Sequence, residues 1–197
     1  MSELVRLAQA LDPTRLAVHI SDHWQRVLDV DGAADRPAPD EPRLFEDDDV
    51  LCVNGYPGAA SLTYPGTATT PASYDLEALT ALWRRRLQRL HRRYPRKPIL
   101  VTEFGSVSFH NVVDGPFGSD VHRAILEHEL AGMDAPYVCG ATVWCWADHA
   151  WPPATFAFCN RLAISPYGVL TRDRRRKGAF WTTRRLFRTI QDLADSD

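Results

Sequence analysis

The feature that most constrains this chain is a repeated pattern in which a short apolar run ends in polar or aromatic residues. Four runs have strand length and occupy 16–20, 50–53, 99–102 and 137–143. Segments with apolar residues at helical steps of three and four occupy 2–11, 75–94, 119–132 and 178–193. Strands that alternate with helices pair in parallel through right-handed crossovers. We therefore predict an α/β fold with a parallel sheet, and Ser119 as the N-cap of the third helix.

The residues that follow the four runs are expected on one rim of the sheet, because parallel strands end on the same side. They are Asp22, His23, Trp24, Asn54, Tyr56, Glu103, Trp144 and Asp148. In parallel α/β barrels this rim carries the active site, whereas the strand bodies fill the core. Gly105 stands two residues after Glu103 and lets backbone or ligand come close. Glu103 thus has the chemistry of a nucleophile or general base, and its alternative role is an ion pair with an arginine.

Length and composition favour one domain without a strongly charged partner. A chain of 197 residues with 45% hydrophobic residues can build a single core. The proline-rich stretch at about 31–43 is predicted as a loop. A formal net charge of -2 gives no global attraction to nucleic acid or acidic membranes. The arginines within 84–93 are therefore interpreted as a solvated helix face, and the run from Arg172 to Lys177 as a solvated turn beside the last helix.

The cysteines and the start of the chain favour the cytoplasm. Cys52, Cys139, Cys145 and Cys159 include no Cys-x-x-Cys pair, and we expect free thiols, with Cys52 and Cys139 inside core strands. Neither a secretory leader pattern nor a bilayer-length apolar run is visible. His19 and His23 stand four residues apart, which on a strand leaves them far apart, so we predict no metal and no cofactor.

Five stretches and the terminal helix together suggest a family. The stretches are 12–15 (DPTR), 50–56 (VLCVNGY), 97–105 (KPILVTEFG), 140–144 (GATVW) and 168–174 (GVLTRDR). In this order they resemble the C-terminal half of the catalytic barrel of glycoside hydrolase family 2, the β-glucuronidase and β-galactosidase family. The resemblance covers nearly the whole chain. It implies one partial catalytic domain over 1–197, a partial (β/α)8 TIM barrel with about strands five to eight and their helices.

The resemblance also implies roles for individual residues. Glu103 matches the nucleophile of these retaining β-glycosidases, and Tyr56 matches the tyrosine that contacts the nucleophile. Trp144 matches a tryptophan that lines the sugar site, and Trp146 and Trp151 are further candidates for stacking on sugar rings. The other substrate-binding candidates at the strand ends are Asn54, Asp22 and His23.

Three departures from the family pattern bear on activity. The acid/base glutamate of the family follows an asparagine, and this chain contains no Asn-Glu pair. The chain is therefore expected to be inactive alone, with Asp22 and Asp148 as weak substitute acids, since strand-end aspartates more often cap loops or pair with arginines. Phe104 replaces the usual tyrosine. Residues 165–167 (SPY) replace the Asn-x-Lys element of β-glucuronidases, so a neutral sugar such as galactose is at least as suitable as a glucuronide.

Two functions stay open at this point. The first is a nucleophile-bearing fragment that hydrolyses O-glycosides when the other half of the barrel is supplied. The alternative is a non-catalytic remnant that binds carbohydrate or only self-associates. Because a half-barrel leaves unpaired strand edges, the expected protein partners are the missing N-terminal half or a second copy. The negative net charge disfavours a nucleic-acid module, and no membrane partner is expected.

Overall fold

The computed structural model describes residues 2–22, 24, 44–58, 75–115, 117–150 and 163–194. The predicted loop at 31–43 lies outside them, as do His23, Trp151 and Cys159. The helices with defined bounds are α1 (Ser2–Leu11), α2 (Leu76–Arg93), α3 (Ser119–Met133) and α4 (Gly178–Ala194). The strands are β1 (Ile20–Ser21), β2 (Leu51–Asn54), β3 (Ile99–Phe104), β4 (Val138–Val143), β5 (His149–Ala150) and β6 (Ile164–Ser165).

Strands β1 to β4 form one sheet in sequential order, and each neighbouring pair is parallel. This confirms the predicted α/β fold with a parallel sheet. The register sets Asn54 opposite Glu103 and Phe104 opposite Val143. The carboxyl ends of β2, β3 and β4 therefore lie side by side, and the residues that follow them share one rim.

The first strand is shorter than predicted, because pairing begins at Ile20 rather than at Leu16. Upstream of it, the Ala17 N–H donates to Asp49 Oδ2 at 2.7 Å and the His19 N–H donates to Asp48 Oδ1. These two donors are satisfied by carboxylates, so they take no part in a strand ladder. The apolar run at 16–20 is therefore mostly an irregular segment, with Leu16, Val18 and Ile20 exposed.

Helix α2 follows directly from its sequence pattern. Its apolar residues at steps of three and four are buried: Leu79, Trp83, Leu87 and Leu90. Asp75 caps the helix, since its side chain accepts from the Ala78 N–H at 2.8 Å. The same side chains join a core cluster with Leu51 and Val53 of β2, and this packing fixes α2 against the sheet.

Helix α3 begins in a way that the sequence did not indicate. Gly118 is its N-cap, and no side chain caps the helix, so the prediction that Ser119 is the N-cap is wrong. The Ser119 N–H donates to the Val112 carbonyl at 2.9 Å instead. The preceding loop satisfies this donor, and Ser119 becomes the first helical residue.

The outer strands are less buried than the inner ones. All four residues of β2 are buried, whereas β4 has no buried residue and Ile20 of β1 exposes 54% of its surface. Cys139, predicted inside a core strand, is exposed on β4, while Cys52 is buried as predicted. Within the described residues, no further strand pairs with either outer strand of this sheet.

Beyond β4 the chain forms a small antiparallel pair, β5 with β6, which the sequence did not predict. Strands of two residues are too short to show an alternating pattern.

None of the described helices combines the length and the hydrophobicity of a membrane span.

Candidate active site

The carboxyl ends of β2 and β3 bring Tyr56 and Glu103 into contact. The Gly55 N–H donates to the Glu103 carbonyl at 2.9 Å, which extends the pairing of the two strands by one residue. One residue later, the Tyr56 hydroxyl donates a short hydrogen bond to Glu103 Oε2. Burial, and then the bond to Glu103, raise the pKa of the Tyr56 phenol well above its usual value of 10. The phenol therefore stays protonated and remains a donor to the carboxylate.

Asn54 and Asp22 form a second polar group beside this pair. The Asn54 side-chain amide donates to Asp22 Oδ1 at 2.7 Å, and the Thr102 hydroxyl donates to Asn54 Oδ1 at 2.7 Å. The buried indole of Trp24 donates to the Asn54 carbonyl at 2.7 Å. These contacts fix Asn54, one strand away from Glu103, while Asp22 stays exposed at the rim. Both residues thus lie where the sequence placed them, and their role in substrate binding remains a prediction.

Trp144 is held at the end of β4 by the backbone of β3, the strand that carries Glu103. Its N–H donates to the Phe104 carbonyl at 2.8 Å, and its peptide bond to Cys145 is cis. Gly105 has a φ of +150°, and a Cβ there would lie 2.6 Å from the Trp144 carbonyl oxygen. Only glycine permits this approach, so Gly105 sets how closely the Trp144 backbone lies to the strand of Glu103.

The neighbours of Trp144 differ in exposure and chemistry. Trp146 exposes 63% of its surface, and its ring centroid lies 6.3 Å from that of Phe180 on α4. The Trp144 ring meets His149 edge-on at 5.9 Å. Burial raises the pKa of the Cys145 thiol to about 11, so this thiol is protonated and therefore a poor nucleophile near neutral pH.

Tyr167 is a rim residue that the sequence reasoning did not select. Its ring packs edge-on against Tyr56, with the centroids 5.5 Å apart, and its carbonyl accepts from the Cys145 N–H at 3.2 Å. It lies in the segment that replaces the Asn-x-Lys element, and this replacement was the feature of the sequence that could have pointed to Tyr167. An uncharged aromatic side chain therefore stands next to the Tyr56–Glu103 pair.

Asp148 is committed to a buried ion pair. Lys177 Nζ donates to Asp148 Oδ1 at 3.0 Å and to the Pro166 carbonyl at 3.0 Å, and the Gly168 N–H donates to the same carboxylate oxygen at 2.8 Å. Both side chains are almost fully buried, so the prediction that Lys177 belongs to a solvated turn is wrong. The sequence placed Asp148 on the rim as a substitute acid, but its carboxylate instead joins the β4–β5 segment to the start of α4.

His19, considered as a metal ligand, has another partner. Its Nδ1 lies 2.8 Å from both carboxylate oxygens of the buried Asp48, and its ring stacks on Phe45 with the centroids 5.0 Å apart. Among the described residues, no group of three His, Cys, Asp or Glu side chains is arranged to hold a metal ion. His23 lies outside the described residues, so its predicted place at the rim is untested.

A carboxylate in this position has the chemistry of a nucleophile, because Tyr56 binds one of its oxygens and the other can attack an electrophilic carbon. Tyr167 packs against Tyr56 with aromatic surface, and Trp144 follows the adjacent strand β4.

Comparison with known proteins yields structural matches only. No protein-family model and no curated protein matches the sequence. A β-glucuronidase from an uncultured Clostridium species matches with a TM-score of 0.71 and 20% identity, over 95% of this chain and 28% of that one. The β-D-glucuronidase of Dictyoglomus thermophilum matches with a TM-score of 0.68 and 23% identity, over 93% of this chain and 28% of that one.

A third match broadens the set. It is a GH2 β-galacturonidase from Eisenbergiella tayi, solved with galacturonate bound, with a TM-score of 0.66 and 16% identity over 95% of this chain and 29% of that enzyme. The chain has the fold of part of a family 2 glycosidase. This confirms the resemblance found in the sequence, at the level of the fold. The chain spans less than a third of the length of these three enzymes.

Proposed function

We propose that residues 1–197 form one partial catalytic domain, equivalent to about strands five to eight of a (β/α)8 barrel. In this proposal Glu103 is the nucleophile of a retaining β-glycosidase that acts on O-glycosides. The observation that carries the proposal is the contact between Glu103 and Tyr56 at the carboxyl ends of two adjacent parallel strands. The match in fold to family 2 glycosidases supports it.

The proposed reaction begins with attack by the free carboxylate oxygen of Glu103 on the anomeric carbon. The glycosidic bond breaks, and the departing oxygen must take a proton from a second carboxyl group, which in retaining enzymes lies about 5–5.5 Å from the first. Water then hydrolyses the glycosyl–enzyme ester. Asp148 is bound to Lys177, and Asp22 accepts from the Asn54 side-chain amide as an ionised carboxylate would; we therefore propose that the proton donor comes from a polypeptide outside these 197 residues.

The sheet edges support a protein partner. Exposed apolar side chains lie on or beside β1 at Leu16, Val18 and Ile20, and on α1 at Leu4, Leu7 and Leu11. At the opposite edge β4 has no buried residue, and Trp146 is exposed just after it. Exposed edges and apolar patches favour association. The proposed partners are a complementing half-barrel or a second copy of this chain, in a cytoplasm that keeps the thiols reduced.

The site favours a neutral sugar over a uronate. Tyr167 brings no positive charge to the Tyr56–Glu103 pair, and the neighbouring Lys177 is buried against Asp148. A sugar carboxylate would find no cation in this segment. We therefore propose a galactose-like glycoside as the substrate, although two of the three matching structures are glucuronidases by name and the third is a galacturonidase.

A comparison of leaving groups tests this function. Without an internal acid, natural glycosides should react hardly at all, because a general acid typically contributes 10²–10⁴-fold. Dinitrophenyl β-galactoside needs no proton and should release dinitrophenolate slowly. E103Q should abolish this release, whereas E127Q, an equivalent change on the exposed face of α3, should not. Equal release by E103Q and the unchanged chain would remove Glu103 from the role of nucleophile.

A second candidate function is carbohydrate binding or self-association without catalysis. The exposed rings of Trp146 and Trp181 and the exposed β1 edge favour it. In that case calorimetry would detect galactoside binding, or sedimentation would detect self-association, in a chain that releases no dinitrophenolate. The leaving-group comparison therefore separates the two candidates.

A further inference from the structure

Glu129 on α3 is a fully buried glutamate that the proposed reaction does not use. The Gly58 N–H donates to its Oε1 at 3.2 Å, whereas its Oε2 has no hydrogen-bond partner among the described residues. Glutamate is almost never fully buried unless it has partners, because an isolated buried charge is costly. The question is therefore which parts of the chain this buried carboxyl group binds.

This donor belongs to a segment that carries the candidate site, because Gly58 follows Tyr56 by two residues. The carboxyl group of Glu129 thus ties the segment after β2 to α3 behind the rim. In front of it, Tyr56 and Glu103 contact each other.

The backbone at Gly58 packs so closely against α3 that no side chain fits between them. A Cβ at residue 58 would lie 2.5 Å from Ile125 Cγ2 and 3.1 Å from Glu129 Oε1, so the segment rests directly on α3. On the other side, a Cβ at Gly132 would lie 2.6 Å from the Cβ of Trp83, which seats α3 against α2. The position of the Gly58 segment is therefore set by contacts with Glu129 and Ile125.

We propose that Glu129 is a positioning residue that fixes Tyr56 against Glu103 by holding the segment after β2. The inference rests on the proposed function, since positioning matters only where Glu103 reacts. Glu129 itself touches no reacting atom. Misplacement of a nucleophile by about 1 Å can lower the reaction rate about 100-fold. A fixed Tyr56–Glu103 geometry would therefore preserve the rate of the proposed reaction.

The role depends on an acceptor oxygen rather than on a charge. Burial raises the pKa of Glu129 to about 8, so the group is largely protonated near neutral pH. Its carbonyl oxygen still accepts from Gly58 in that form. Glutamine has the same shape and keeps this acceptor, whereas leucine has a similar size and lacks it. E129Q and E129L therefore separate the hydrogen bond from simple filling of the site.

The test measures the two segments without any sugar. Hydrogen exchange by mass spectrometry would be compared for the unchanged chain, E129Q, E129L and E127Q, a matched exposed glutamate on the same helix. We expect E129L to speed exchange about 10-fold or more in peptides that contain residues 55–58, the effect of losing about 1.4 kcal/mol of local stabilisation, and to change exchange at residues 104–107 less. E129Q and E127Q should match the unchanged chain.

A second readout follows the Tyr56 phenol, whose pKa is raised first by burial and then by the contact with Glu103. NMR titration of ring-labelled tyrosines, with Y56F for assignment, should show the Tyr56 pKa falling towards 10 in E129L but not in E129Q. A G58A variant keeps Glu129 but forces the segment away from Ile125, and it should behave like E129L.

Several results would overturn the proposal. The first is unchanged exchange and an unchanged Tyr56 pKa in a folded E129L or G58A. The second is the same loss in E129Q as in E129L. The third is failure of both E129L and G58A to fold, which would leave Glu129 with a role in stability alone. None of these results involves glycoside chemistry. Failure of Glu103 to react with activated glycosides would instead remove the proposed function and leave the exchange data as they are.

Discussion

At the scale of single residues, the sequence predicted the members of the rim better than their contacts. Asn54, Tyr56, Glu103 and Trp144 follow recognisable apolar runs, and the structure places all four at adjacent strand ends. Asp148 and Glu129 could not be interpreted in this way. Their partners, Lys177 and Gly58, lie 29 and 71 residues away in the chain, and only tertiary packing brings them together.

Removal of the Tyr56 hydroxyl should weaken the nucleophile without unfolding the chain. A hydrogen bond to a charged group contributes about 1.5–3 kcal/mol, so Y56F should lower the rate of dinitrophenolate release about 10- to 100-fold. The half-buried ring should still pack against Tyr167 and preserve stability. Stopped assays at several glycoside concentrations would measure this. A Y56F rate equal to that of the unchanged chain would show that the contact does not serve catalysis.

Removal of one partner of the buried ion pair should be costly. K177M leaves Asp148 buried without its cation and should lower the free energy of unfolding by about 3–5 kcal/mol. The double variant D148N/K177M should recover most of this loss, since the asparagine oxygen can still accept from the Gly168 N–H. Urea unfolding of the three chains measures the difference. A K177M loss below about 1 kcal/mol would instead match an exposed ion pair.

At the scale of elements, periodicity predicted where helices occur, and local contacts decided how they begin. Helix α2 starts at the capping aspartate Asp75, whereas α3 starts where the Val112 carbonyl accepts from the Ser119 N–H. The run at 16–20 has a strand pattern, yet carboxylates of Asp48 and Asp49 occupy the backbone donors of Ala17 and His19. Patterns in one segment cannot report such competition from another.

Helix α3 carries a second buried polar side chain that should make the fold sensitive to acid. His122 is fully buried with its Nδ1 2.8 Å from the Ser108 hydroxyl, and burial together with the nearby Lys177 lowers its pKa to about 3. The unfolded chain binds a proton at His122 below about pH 6.5, whereas the folded chain does not. The contribution to stability is therefore complete above pH 6.5 and is lost as the pH falls towards 3, by about 1.4 kcal/mol per pH unit.

H122Q should remove this dependence. Its free energy of unfolding, relative to the unchanged chain, should rise as the pH is lowered from 6.5 to 4, when both are measured by urea unfolding. H128Q, a change at a half-buried histidine on the same helix, serves as the control. A constant difference between H122Q and the unchanged chain over this range would contradict the lowered pKa of His122.

At the scale of the whole molecule, the described sheet has two well-buried inner strands and two exposed outer ones. The sequence predicted unpaired strand edges, because its four strand–helix units do not complete an eight-stranded barrel. Closure of the sheet into a barrel requires strands from a partner, and the barrel therefore remains part of the proposal.

The exposed edges should make the isolated chain associate. Sedimentation is expected to show dimers or larger species, and I20K on β1 should shift the distribution towards monomer, because an edge lysine opposes strand pairing. V113K changes an equally exposed apolar residue in the loop before α3 and should have little effect. A stable, dilute monomer that unfolds cooperatively would contradict the proposed incomplete barrel.

The central claim is that Glu103 is the nucleophile, and covalent trapping tests it most directly. A dinitrophenyl 2-deoxy-2-fluoro-β-galactoside carries a leaving group that needs no proton, and its fluorine slows hydrolysis of the glycosyl–enzyme ester. Incubation with the unchanged chain, E103Q and E127Q would be followed by intact mass measurement and peptide mapping. We expect one fluoroglycosyl group per chain, located on Glu103 and absent in E103Q. An adduct on another residue, or equal labelling of E103Q, would contradict the claim.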